Sequence, residues 1–171
     1  MRKIEYFINI IHYNIYLYDY KLHRKFSKIN PFMLIHKLPF QKRKYKKENI
    51  DIFKDLDNTF KDPTYGFSSV RAGGIMYLLS LLFAFSLFMY SVGIMKRNIE
   101  GFFIFIIAFP FAILIYYTVL YNDKYLLYFK KFDQESSRWK RKWSFITIGF
   151  IIFIILFLIG SFNFSTYMLN K

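Results

Sequence analysis

Three stretches of this chain, 72–95, 101–122 and 143–170, contain no Asp, Glu, Lys, Arg or His. The first is 24 residues long, about 36 Å as a helix, against a hydrocarbon core of about 30 Å. A core helix of a soluble domain is usually shorter and keeps a polar face. The pattern therefore predicts three membrane-spanning helices, at about 72–95, 101–122 and 143–164. Three such helices in 171 residues leave little chain for a separate soluble core. The predicted fold class is all-α: a polytopic helical membrane protein with an N-terminal amphipathic, basic cytosolic region. Residues 1–71 form that region, 72–170 form the three-span unit, and 123–142 form a cytosolic loop within it.

Before the first span the period changes. Glu5, Asn9, His12, Tyr16, Asp19 and His23 recur at steps of three and four. Ile4, Ile8, Ile11, Ile15, Tyr18, Leu22 and Phe26 recur similarly on another face. This spacing predicts an amphipathic helix over 4–26, lying in the membrane interface or against a partner helix, with its polar face solvated. The scattered polar residues do not read as a signal peptide. Pro31 and Pro39 bound a short apolar run. Residues 50–60 predict a second amphipathic helix, with Ile50, Phe53, Leu56 and Phe60 on one side. Pro63 and Gly66 break the chain before the first span, and Ser68 and Ser69 are candidate caps for it.

Charge supplies an orientation. Of 25 Lys and Arg, residues 1–71 hold 15, residues 96–100 hold 2, the 123–142 loop holds 7 and the C-terminus holds 1. With three spans the split is 22 against 3, which predicts a cytoplasmic N-terminus and an external C-terminus in the inner cell membrane. Lys42, Arg43, Lys44, Lys46 and Lys47 form one cluster suited to anionic lipid headgroups, and Arg138, Lys140, Arg141 and Lys142 another. Trp139 and Trp143 flank the second cluster at the expected interface. The net charge of +14 matches an anionic inner leaflet and calls for no nucleic acid. Cysteine is absent, so disulfides and thiolate chemistry are excluded. The abundance of Phe, Tyr, Ile, Lys and Asn reflects AT-rich coding as much as function.

Small residues recur on the predicted spans. Gly73, Ser80, Ala84 and Ser91 return to one helix face, as do Gly101, Ala108 and Ala112, while Gly149 and Gly160 lie eleven apart. Such positions let helices pack closely in lipid. Pro110 should kink the second span. His12, His23 and His36 are the candidate residues for chemistry at the interface. Glu5, His12 and Asp19 stand seven apart, about 10.5 Å along a helix, too far to share an ion. Asp51, Asp55 and Asp57 do not complete a calcium loop. No phosphate-binding, zinc or nucleophile motif is found, and no cofactor or small-molecule substrate is indicated. The expected function is a non-enzymatic integral membrane subunit, a scaffold or assembly factor of a cell-envelope complex, docking through its basic N-terminal region. Its partners would be the bilayer and other membrane subunits or copies of itself. The alternatives are an immunity or pore-type protein acting by helix association, and a small membrane-bound enzyme.

Overall fold

The computed structural model describes residues 2–96 and 100–171, and every described element is helical. In chain order these are α1 (Arg2–Phe26), α2 (Pro31–Ile35), α3 (Pro39–Glu48), α4 (Ile52–Lys61) and α5 (Phe67–Met95). Then come α6 (Phe103–Ile115), a π-helix (Tyr116–Leu120), a 3₁₀ turn (Tyr121–Asp123), α7 (Lys124–Asp133) and α8 (Ser137–Leu169).

Local chemistry sets the helix ends. The Asn30 side chain accepts from the Phe32 amide, with Pro31 in the first turn of α2. Asp51 caps α4 by accepting from the Lys54 amide at 3.1 Å, and Ser136 caps α8 through the Trp139 amide at 3.2 Å. The chain turns back over the end of α4 at Gly66, where a Cβ would stand 2.2 Å from the Asp62 carbonyl oxygen, so no side chain fits. Helix α5 starts at Phe67, so Ser68 and Ser69 lie buried inside its first turn instead of capping it. The Ser69 and Val70 amides of that turn both donate to the Gly66 carbonyl.

Three helices are long and apolar enough to cross a membrane: Phe67–Met95, the run Phe103–Asp133, and Ser137–Leu169. The second does not continue as one regular helix. After α6, with Pro110 inside it, the chain widens into the π-helix, and Asn122 and Asp123 then take φ of 55° and 50° before α7 begins. Side chains of this short polar type tolerate the left-handed region best.

The chain gathers into two compact units. The first joins the chain through Asn14 to Gly74–Lys171; the second is Ile15–Gly73. In the first unit the buried core includes Ile10, Ile11, Tyr13, Ala84, Val119, Phe129, Phe132 and Ile154. The second unit has little apolar core. Its helices α3 and α4 bury no residue fully, while Tyr16 and Met33 are buried.

Candidate functional site

The first part of α1 lies inside the first unit, among the long apolar helices. All eight residues from Asn9 to Tyr16 are buried. Two turns of helix with no exposed side chain leave no face for water. This corrects the expected solvated polar face: Asn9 is 0% and His12 1% exposed. The expected apolar stripe is covered only in its middle, since Ile4, Leu22 and Phe26 are all more than half exposed.

Specific partners make the burial of polar groups tolerable. The Asn9 amide donates to the Thr118 carbonyl at 2.8 Å, within the π-helix, and to the Glu5 carbonyl at 2.9 Å. Nearby, Lys124 donates to the Tyr117 carbonyl at 3.0 Å. A π-turn shifts the regular bonding pattern, and two consecutive carbonyls here take side-chain donors. The Asn14 amide donates to Thr147 Oγ1 at 3.0 Å and to the Ile10 carbonyl at 3.1 Å. Tyr13 donates to the Asp133 carboxylate at 2.6 Å. Glu5 accepts from the Tyr128 hydroxyl at 3.3 Å and lies 3.8 Å from the Lys124 ammonium. Asn9 Oδ1 is buried with no hydrogen-bond partner. Unmatched buried polar atoms of this kind cost stability.

Aromatic rings close the seat. The His12 ring centroid lies 5.5 Å from Tyr125 and 5.1 Å from Phe129, while Tyr13 meets Phe129 and Phe132 at 5.3 and 5.5 Å. Burial raises the pKa of the Tyr6 phenol above its ordinary value, and the charge of Glu135 adds to the shift. Among the described residues no group of three His, Cys, Asp or Glu side chains could hold a metal ion.

On its other side the same stretch of α1 lines a cavity. Phe7, Ile8 and Ile11 face Leu79 and Phe83 of α5, Phe111 and Leu114 of α6, and Phe150 and Phe153 of α8 around a volume of about 250 Å³. Its one polar side chain is Ser80, whose hydroxyl donates to the Tyr77 carbonyl at 2.7 Å.

The second unit holds a different arrangement. His23 stacks on Phe60 with centroids 3.3 Å apart and planes 3° from parallel. Burial lowers the pKa of its imidazole, opposed by Asp19 and aided by Arg71. Arg71 pairs with Asp19 at 3.3 Å and lies over the Phe60 ring. Tyr20 donates to Asp57 at 3.0 Å, and Tyr16 donates to the Lys61 carbonyl. His36 Nδ1 lies 2.6 Å from the Tyr45 hydroxyl.

The structure places the sequence candidates unequally. Lys42, Arg43, Lys44, Lys46 and Lys47 are all exposed on α3, and Arg138, Arg141 and Lys142 are exposed at the start of α8. Lys140 is half-buried and donates to the Asp133 carbonyl at 2.7 Å. Ala84 is fully buried, and Gly160 faces the Tyr90 hydroxyl, 3.2 Å from where a Cβ would sit. Ser80, Ser91, Ala108 and Ala112 are half-buried. Gly73, Gly101 and Gly149 have nothing within 4 Å of a Cβ. Within the long helices a close approach falls at Gly93, where a Cβ would stand 2.9 Å from the Phe164 ring and 3.1 Å from Ser165 Cα. Ser86, Ser161 and Ser165 are also buried. Gly93 was missed by sequence reasoning, although Ser86 and Gly93 stand seven apart and so repeat on one face. Comparison with protein-family models, characterised proteins and solved structures finds no match.

Proposed function

We propose that this chain is an integral inner-membrane protein that serves as a non-enzymatic scaffold or assembly subunit of an envelope complex. Its N-terminus and the 123–142 loop are cytoplasmic and its C-terminus is external. The observation that carries the reading is the pairing of three long apolar helices with a row of unburied cations on α3. The apolar helices leave Phe105, Phe109, Phe145 and Leu156 exposed, more than half in each case, which suits a lipid surround and not water. The cations of α3 sit on a helix that buries nothing of its own, so they are available to anionic headgroups or an acidic partner. Ion pairs and an aromatic stack link the helices of unit two, which supports a docking element.

Reporter fusions and co-purification test this together. A phosphatase fused after Lys171 should be active and one inserted within 123–142 silent. Protein crosslinked in native membranes should co-purify with other membrane proteins, and charge reversal at Lys42, Arg43, Lys44, Lys46 and Lys47 should reduce that recovery. A silent C-terminal phosphatase refutes the orientation. A chain that purifies alone from crosslinked membranes refutes the subunit role.

A further inference from the structure

We infer that the apolar cavity is a lipid site: it takes one acyl chain of an anionic phospholipid from the cytoplasmic leaflet, with the phosphate held by Arg138 and Lys142. This rests on the membrane reading above. The lining selects the ligand class. The only side-chain polar group at the cavity, the Ser80 hydroxyl, already donates to a backbone carbonyl, so a polar ligand would be desolvated without compensation. The volume of about 250 Å³ exceeds the roughly 150 Å³ of an apolar cavity that accepts a benzene ring. It has room for a folded length of hydrocarbon.

The way in is visible in the exposure of the lining. Leu114 and Phe153 both line the cavity, yet are 38% and 53% exposed. The mouth is therefore where Leu114 of α6 and Phe153 of α8 reach the surface. In a bilayer that mouth meets acyl chains and not water. A chain end that enters meets apolar side chains along the lining, and their dispersion contacts hold it.

The spacing of α8 supplies the other half of the site. Arg138, Lys142, Gly149 and Phe153 follow at steps of four, seven and four, and so lie along one face. Arg138 and Lys142 are exposed, and neither is in an ion pair among the described residues. Phe153 lies eleven residues beyond Lys142, about 16 Å along the helix. Between them Gly149 has nothing within 4 Å of a Cβ position, which leaves a bare strip of backbone for a chain to run against. Guanidinium and ammonium groups together suit a phosphate diester, the arginine through paired donors. Head and tail requirements thus fall on the same face of one helix, in the order a phospholipid needs.

The test uses the full chain in mild detergent, titrated with phosphatidylglycerol or phosphatidylcholine of identical acyl chains and read by native mass spectrometry. Wild type should retain one phosphatidylglycerol in preference to phosphatidylcholine. Ser80→Phe, which fills the cavity, and Gly149→Leu, which blocks the exposed strip without touching the core, should each weaken both lipids about tenfold. The double variant Arg138→Gln/Lys142→Gln should lose about tenfold for phosphatidylglycerol only, bringing it to the phosphatidylcholine level. Equal binding of the two lipids by wild type, unchanged binding by Gly149→Leu, or a lipid-free dimer that Ser80→Phe abolishes would each overturn the site. Alkaline extraction of wild-type membranes separates the two claims. A chain that resists extraction but fails the lipid test refutes the site and leaves the membrane reading standing, whereas a chain released by alkali refutes both.

Discussion

Asn14 shows how much one buried side chain carries. The residue is 3% exposed, and its amide donates both to its own helix and to Thr147 of α8, 133 residues away in sequence. Replacement by Asp keeps the shape but turns two donors into a buried carboxylate facing a carbonyl and a hydroxyl oxygen. Uncompensated buried charge of this kind costs about 3–5 kcal/mol. Asn14→Ala loses the same bonds without the charge and should cost about 1–3 kcal/mol. We therefore expect Asn14→Asp to unfold at lower temperature than Asn14→Ala in detergent at neutral pH. The gap should shrink on acidification, because the buried carboxyl's pKa is raised and its protonated form can donate as the amide did. Equal melting temperatures for the two variants at neutral pH would show that Asn14 is not buried against Thr147. Asn9 is a less clean probe, since truncating it removes an unpartnered oxygen along with the bond to Thr118.

Helix contacts obey the same logic at the next scale. Helices α5 and α8 are in tight contact at Gly93, where the Phe164 ring and the Ser165 backbone crowd the space of a Cβ. A ring can turn away, but a backbone atom at 3.1 Å moves only with its helix. Gly93→Ala should therefore destabilise by about 1–3 kcal/mol, and Gly93→Val by more. Gly74 lies in the same helix with nothing near its Cβ position. Gly74→Ala should be neutral or stabilising by about 0.4–1 kcal/mol, through the lost freedom of the unfolded chain. Thermal unfolding of both variants beside wild type checks the contrast, and similar shifts at the two positions would remove the α5–α8 crossing at Gly93. The small residues at Gly73, Gly101 and Gly149 were as prominent in the sequence, yet among the described residues nothing lies within 4 Å of a Cβ at any of them. Periodicity identifies a small face; only the neighbouring helix decides which face it uses.

For the molecule as a whole, the first fourteen residues belong with the long helices and not with the basic segment that follows them. Helix α1 supplies one wall of the cavity and the polar seat on the π-helix. Removing residues 2–14 would uncover Phe129 and Phe132, which are buried in the intact chain against Tyr6, His12 and Tyr13, and would leave the Thr118 carbonyl without its side-chain donor. We expect this deletion to lower the melting temperature of the detergent-solubilised protein by roughly 5–10 °C. It should also open α7 to proteolysis. Deleting residues 39–48, the exposed α3, should do neither. If the two deletions behave alike, the N-terminal residues are not part of the first unit.

The sequence by itself determined the helical class, the three long apolar segments and the break in the chain at Pro31, while the caps at Asp51 and Ser136 emerged only with the structure. The first three depend on local properties: uninterrupted hydropathy and backbone sterics. It also showed that residues 4–26 have two distinct faces. It could not show that both would be covered. Whether Asn9, His12 and Asn14 meet water depends on partners more than a hundred residues further along: a carbonyl in a π-helix, a threonine on α8 and the aromatic rings of α7. The π-helix left no mark in the hydropathy pattern, because a one-residue change in hydrogen-bond step does not alter which residues are apolar. The cavity was hidden for the same reason, since it is the volume left when four helices with separately legible apolar faces fail to fill the space between them.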